Sequence, residues 1–369
     1  MSNLLEEIYI EDGVPINLDW TFYYNSRLRK VRLPESPDIT NFYCAVLRCP
    51  VLESIKIPRN VVNINGFTYG SMDCIPPHVV YDAENATIRG SDLFATVAAS
   101  DVFDLEIGAN VDTLPANFVS FVKRATSIKF HGENWLTVAD GALSPWRMPL
   151  AELSGTVYVD DQGVIYTYDA EKKTAAVYYV QPGVPNVTIP RSIFTEDGLT
   201  ECVITTVKQN ALMDAGSLTS LTFLAPECIT AIETLAMANC TTLTSVNGQT
   251  TVEGAEASFT NENRTMGYEP FYNTGLTGAS GGGAFDAEMD GEKPLTVTRK
   301  DTEEKVTKMD IVLGSKGSTM TWVGQEDGPG GYRLLTNDTL TITGEAGNSD
   351  GNKIYVCAYR LNSASHHIL

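Results

Sequence analysis

Leu52-Glu53-Ser54-Ile55-Lys56-Ile57-Pro58 restates Leu28-Arg29-Lys30-Val31-Arg32-Leu33-Pro34 at a distance of 24 residues, keeping the aliphatic positions and the proline. Self-similarity at a fixed period of this size marks a stacked-repeat architecture, in which each unit meets an equivalent neighbour. A further step of 24 residues carries Ile55 and Ile57 to Val79 and Tyr81, and Ile64 to Ile88. The register then loosens, with Leu105-Glu106-Ile107-Gly108 and Ile128-Lys129-Phe130 in the same slot, so that five units fill about residues 28–150. After an interruption, Val187-Thr188-Ile189-Pro190 restores the strand and its proline stop. Val207, Ala211, Leu212, Leu218 and Leu221 then return 25 residues on as Ile232, Ala236, Met237, Leu243 and Val246.

A submotif joins the two arrays. Small residues stand at fixed offsets before a leucine in Ala45-x-x-x-Cys49-x-x-Leu52, Ala211-x-x-x-Ala215-x-x-Leu218 and Ala236-x-x-x-Cys240-x-x-Leu243. A tight turn with room only for alanine or cysteine explains that choice sterically. One unit cannot fold alone: a few inward side chains supply about 1.5–3 kcal/mol each, against an ordering cost of about 1–2 kcal/mol per residue. Stacking lets neighbours bury each other's edges, and Pro34, Pro58 and Pro190 end each strand where an N–H is no longer needed.

These residues resemble the BspA-like family of leucine-rich repeats, whose unit reads L-x-x-I-x-I-P, then V-x-x-I, then A-F-x-x-C. The stretches LESIKIPRNVVNI (52–64) and ITAIETLAMANCTTLTSV (229–246) carry the likeness, and FYNTGLTG (271–278) resembles a terminal unit. It spans about residues 28–278, with Leu212 and Met237 where the family carries an aromatic and no proline in the unit starting near Val79. The resemblance implies a mainly β repeat solenoid, a leucine-rich-repeat superhelix with short parallel strands. It further implies a non-enzymatic binding or adhesion protein at a bacterial cell exterior.

Around the arrays the sequence predicts further units. Residues 1–27, with Trp20, Phe22, Tyr23 and Tyr24, are expected to cap the first array, which occupies 28–150. A hairpin segment with Asp161-Gln162-Gly163 at a turn opens the span 151–278, capping one array and starting the next. The glycine- and acid-rich composition after Thr251 predicts an insertion, then a Gly-rich linker over 279–293 around Gly281-Gly282-Gly283. Alternating runs at 309–313, 320–323, 332–335, 340–343 and 354–359 predict a small C-terminal β-sandwich over 294–369.

Composition narrows function. A formal net charge of -20, from 26 basic and 46 acidic residues, argues against nucleic acid as a partner, because counterion release needs basic density. No apolar run reaches the length of a membrane span, and residues 1–13 lack the basic flank and apolar centre of a secretory signal. An export signal removed beforehand and use without export both fit that start. The seven cysteines, Cys44, Cys49, Cys74, Cys202, Cys228, Cys240 and Cys357, are too few and too irregular for a disulfide framework and read mostly as small buried hydrophobes. His78, His131, His366 and His367 stand in no metal or nucleophile motif, and 346–351 imitates a calcium loop without its first and twelfth ligands. No catalytic, cofactor-binding or metal residue is therefore expected.

The residue between the paired aliphatics should point outward, and successive units place Arg32, Lys56, Val80, Glu106 and Lys129 there. Arg32, Lys56 and Lys129 form a locally basic lane that reads either as a contact surface for a partner or as a solvated face. Thr188 and Thr222 occupy the matching places in the second array. The expected partner is a protein or glycan, with self-association into a homo-oligomer compatible with the sequence. A bacteriophage virion component, a fibre or capsid decoration, is the alternative reading, since it needs no signal peptide.

Overall fold

The computed structural model describes residues 4–278, apart from 20, 23, 44, 47–48, 66–74, 90–101, 147 and 268–269. Beyond them it describes the backbone of five strands. In the first array each coil contributes two short strands. The front strands Ser54–Ile57, His78–Tyr81, Phe103–Ile107 and Ala125–Phe130 pair in parallel, placing Ile55, Val79, Leu105 and Ile128 in one column and Ile57, Tyr81, Ile107 and Phe130 in another. All eight side chains are buried, so the 24-residue period is a stacking distance in space. The rear strands Asn41–Tyr43, Asn63–Asn65 and Thr87–Arg89 form a second parallel ladder. Glu7–Tyr9 pairs in parallel with Lys30–Arg32, so the leading segment expected as a cap supplies a front strand of its own.

The small-residue turns explain themselves in the ladder. Cys49 donates its thiol to the Phe22 carbonyl and Cys240 donates to that of Leu212, each at 2.9 Å and each one coil back. Cysteine is thus small enough for the turn and also pairs a carbonyl there; both thiols are buried and free of disulfides. The residue just before the second small position takes a left-handed backbone, with Asp214 and Asn239 at φ 61° and 59°. Asp and Asn tolerate that conformation better than other residues with a Cβ. Cys44, Cys74 and Cys357 lie outside the described residues.

Two short helices depart from the expected pattern. Between the last two front strands of the first array, a turn of 3-10 helix, Ala116–Phe118, runs into Val119–Val122. It inserts Phe118 and Phe121 against the Tyr81 ring at centroid distances of 4.9 and 5.5 Å. In the second array the stretch read as an acidic insertion opens with a helix, Val252–Ser258, whose first turn is capped by the Thr251 hydroxyl accepting from the Gly254 N–H. Val252, Ala255 and Phe259 recur at helical spacing and bury against the end of the second core, a pattern that the surrounding glycines and acids obscured.

Between the arrays the sheet changes character. Asn134–Val138, Gly155–Val159, Val164–Asp169 and Thr174–Val180 run antiparallel as a meander. This meander joins the rear strand Thr113–Leu114 of the first array to the rear strands Glu201–Val207, Ala231–Ile232 and Thr265–Met266 of the second, all within one sheet. Its strands Val164–Asp169 and Thr174–Val180 face both cores. Ile165 and Tyr179 belong to the first core, and Val164, Tyr166 and Val177 to the second.

On the front the two arrays are joined by side chains. Phe130, in the last front strand of the first array, donates its N–H to Gln181 Oε1 at 2.7 Å. Gln181 Nε2 donates to the Gln162 carbonyl, and Gln162 in turn accepts from the Thr188 N–H at 2.8 Å and donates to the Thr188 carbonyl at 3.0 Å. Thr188 lies in Asn186–Ile189, the first front strand of the second array, which continues to Ser220–Phe223 and Ser245–Val246. The Gln162 amide therefore makes the two bonds that a neighbouring strand would make. Gly163, at φ 74°, is required beneath it, since a Cβ there would lie 2.0 Å from Gln181 Nε2. The buried Asp160 carboxylate fixes the same turn, accepting from the N–H groups of Gln162 and Val164 and from the Tyr166 hydroxyl.

Beyond residue 278, Phe285–Glu288 pairs antiparallel with Thr296–Arg299, and Lys308–Leu313 lies between Ser318–Val323 and Leu340–Gly344. The stretch expected as a linker thus contains a strand, whose Phe-Asp-Ala-Glu alternation the neighbouring glycine run masked. The remaining features expected there, Gly281-Gly282-Gly283, the runs 332–335 and 354–359, the loop 346–351, His366 and His367, lie outside the described residues, and the β-sandwich remains an expectation.

Two stability measurements test this account. Gly108 packs under Asp82, so the Cβ of Gly108→Ala would meet Asp82 Oδ1 at 2.0 Å. Its urea midpoint should fall by the equivalent of about 1–3 kcal/mol; an unchanged midpoint would mean that Asp82 is not held there. Gln181→Ala strands the buried Phe130 N–H and should cost about 1–3 kcal/mol, whereas Gln162→Ala releases Thr188 groups that water can reach and should cost about 1 kcal/mol or less. The reverse order would refute the side-chain splice.

Candidate binding surface

The front ladder turns alternate side chains outward, and its register places Lys56, Val80, Glu106 and Lys129 in one column. Arg32 lies in the preceding front strand, opposite Tyr9. The three cations of the lane differ in their surroundings. Arg32 donates to the Ile10 carbonyl and to Asp12 Oδ2, both at 2.7 Å, with its guanidinium carbon 4.7 Å from the centre of the Tyr9 ring. Lys56 Nζ lies 2.8 Å from Glu35 Oε1 and 2.7 Å from Asp82 Oδ2. Burial alone would lower the Lys56 pKa, yet the bonds to Asp82 and Glu35 outweigh it and hold the ammonium above its ordinary value. Lys129 takes part in no ion pair among the described residues.

This is a general habit of the array. Arg29 pairs with Glu53, Arg59 with Glu84 and Lys208 with Glu233, each joining one coil to the next. Exposed pairs of this kind are worth little individually, about 0–1 kcal/mol. Asp82 differs because it is buried and must be satisfied: it also accepts from the Asn110 N–H and side-chain amide. His78 and His131 flank Glu106 from the two neighbouring coils, their Nε2 atoms 3.7 and 3.4 Å from its two oxygens. Asp104 sits below its ordinary pKa, chiefly through the Ser127 hydroxyl. Among the described residues no group of three or more His, Cys, Asp or Glu side chains is arranged to hold a metal ion. No described helix is long and apolar enough to cross a membrane.

With the two ladders in place, the match to known families has a geometric meaning. Residues 1–96 and 187–279 match the BspA type leucine-rich repeat region in six copies, just over half of the 369 residues. The chain belongs to that family. The BspA-type match takes in the Glu7–Tyr9 strand and its partner Lys30–Arg32, and omits 97–186, which holds the helical turn and the meander. The front strands Phe103–Ile107 and Ala125–Phe130 keep the ladder running through that gap. Among solved structures, a leucine rich cell surface protein from Faecalibacterium prausnitzii A2-165 is similar at 18% identity and a TM-score of 0.25, a likeness that carries no argument. The match covers 65% of this chain and 64% of that one, so less than two thirds of that protein is spanned. No curated protein matches the sequence.

Sequence reasoning passed over one surface. On the meander, Trp135, Tyr158 and Tyr168 alternate with Leu136, Val157 and Val159 of the first core and gather on the opposite face. The signal was available as Trp135, Tyr158 and Tyr168 on the face opposite the aliphatic set, the two tyrosines within a stretch read only as hairpins.

The lane's cations should separate in a stability assay. Lys56→Met leaves the buried Asp82 charge short of a partner and should cost about 1–3 kcal/mol, against at most about 0.5 kcal/mol for Lys129→Met. Equal urea midpoints for the two variants would show that Lys56 is as dispensable to the fold as an ordinary exposed lysine.

Proposed function

We propose that this BspA-type chain is a non-enzymatic binding or adhesion protein that presents its repeat surface to a protein or glycan partner at the cell exterior. The observation that carries the reading is the contrast between the two sides of the front strands. Inward positions keep the same aliphatic and aromatic character from coil to coil, while outward ones change from Arg32, Lys56, Glu106 and Lys129 in the first array to Thr188 and Thr222 in the second. Solenoids recognise partners over such extended faces, where many small contributions add. The family membership supports the same reading.

In this reading Lys129 is the lane residue most available to a partner, while Arg32 and Lys56 shape the face as members of inter-coil pairs. Antibodies raised against the chain should label intact cells of the producing organism as strongly as permeabilised ones, and brief protease treatment of intact cells should remove the signal. Labelling that appears only after permeabilisation would overturn the exterior placement.

A further inference from the structure

The meander's second face is only partly roofed by the second core. Trp135, Tyr158 and Tyr168 pack against that core's rim and remain part-exposed, forming a ledge with Thr137 and Thr156 beside them. The rings hold one another. Trp135 lies 5.2 Å from Tyr158 and 5.2 Å from Tyr168, the latter edge to face at 77°, and Tyr158 lies 6.1 Å from the buried Tyr166. Their faces are thereby fixed before any ligand arrives, which lowers the entropic cost of binding.

Carboxylates border this aromatic patch in two places. Glu133 Oε1 accepts from the Tyr158 hydroxyl at 2.6 Å, and Asp161 is exposed on the adjoining turn. On the other side, Glu196 and Asp197 occupy the exposed tip between Ser192–Phe194 and Glu201–Val207, near enough to act on Tyr168. Burial is the largest cause holding both ledge tyrosine hydroxyls above their ordinary pKa, and the charges of Glu133 and Asp161 at Tyr158, and of Glu196 and Asp197 at Tyr168, push the same way. Lys172, at the nearby hairpin end, is tied to Asp169. Among the described residues, Glu133, Asp161, Glu196 and Asp197 take part in no ion pair, in contrast to the front face, where Arg29, Arg32, Lys56 and Arg59 are each matched by an acid from a neighbouring coil.

We propose that the ledge is a docking site for a basic, arginine-bearing peptide segment of a partner protein, with guanidinium groups stacked on Trp135 and Tyr168 and paired to Glu133 and Glu196. Arginine suits it better than lysine because its planar, weakly hydrated head stacks on aromatic faces and still presents donors to a carboxylate. Two separated acidic borders call for at least two cations along one chain, which a peptide supplies and a single ammonium group does not. The inference rests on the binding-protein reading and gives it a surface and a partner chemistry.

The test uses the full chain and a fluorescein-labelled peptide of alternating arginine and glycine, followed by anisotropy at physiological ionic strength. A glutamate–glycine peptide serves as the negative probe. Three variants are compared: Glu133→Gln/Glu196→Gln, Trp135→Leu, and the charge-matched Asp19→Asn/Glu262→Gln, whose exposed acids lie outside the ledge. The expected result is binding of the arginine peptide alone, weakened about tenfold by either ledge variant and less than about twofold by the control. Because Glu133 and Glu196 are exposed, their double variant decides the matter even if Trp135→Leu lowers the melting temperature. Equal weakening by the control would assign the binding to overall charge and overturn the proposal. Retained peptide binding in the double carboxylate variant, together with capture of neutral oligosaccharides that Trp135→Leu abolishes, would replace it with a glycan platform. Failure of the arginine peptide to bind at all would eliminate the ledge as a basic-peptide site, while intact-cell labelling would independently leave the surface reading standing.

Discussion

Parallel, in-register stacking of coils is the constraint on which the rest of the structure depends. A three- or four-residue strand such as Ser54–Ile57 buries two side chains and leaves both of its hydrogen-bonding edges open, so it has no stability of its own. Placed between neighbours, a strand such as His78–Tyr81 has both edges paired, with Val79 and Tyr81 in register with Ile55 and Ile57 on one side and with Leu105 and Ile107 on the other. Every coil thereby inherits the geometry of the previous one. The thiols of Cys49 and Cys240 pair with a carbonyl one coil back for the same reason, and the ion pairs follow suit: Arg29 with Glu53 and Arg59 with Glu84 each join residues about one period apart.

That translation makes part of the molecule legible in the sequence and hides another part. The inward columns could be read directly, because burial in a repeated slot selects the same residue class each time, as at Ile55, Val79, Leu105 and Ile128. So could the outward order Lys56, Val80, Glu106, Lys129, which follows from strand alternation alone. What each outward residue does was not legible. Lys56 is drawn to Asp82 and Glu35, residues of two different neighbouring coils, and nothing local marks Asp82 as buried. The helix Val252–Ser258 escaped notice because glycine and acid surround a short apolar stripe, and the strand Phe285–Glu288 because glycines precede it.

The meander between 134 and 180 shows how a repeat protein changes direction in chemistry without breaking its sheet. Antiparallel strands can be joined by tight turns, so four of them fit where a parallel crossover would need whole coils. Where a strand is buried on both faces, as at Val164, Ile165 and Tyr166, it loses the polar–apolar alternation that marks a half-exposed sheet. Where the second core stops covering the sheet, the same strands carry Trp135, Tyr158 and Tyr168 in place of aliphatic residues. The surface most unlike the repeats therefore arises from the requirement that two separately stacked cores share one wall.

The splice through Gln162 and Gln181 makes the front of the junction chemically unlike its rear. At the rear the two arrays are continuous through hydrogen-bonded strands, whereas at the front they meet through two side-chain amides. One substitution at Gln162 or Gln181 therefore removes a link between the arrays, whereas no single side chain carries the continuity of the rear sheet, whose bonds are made by the backbone.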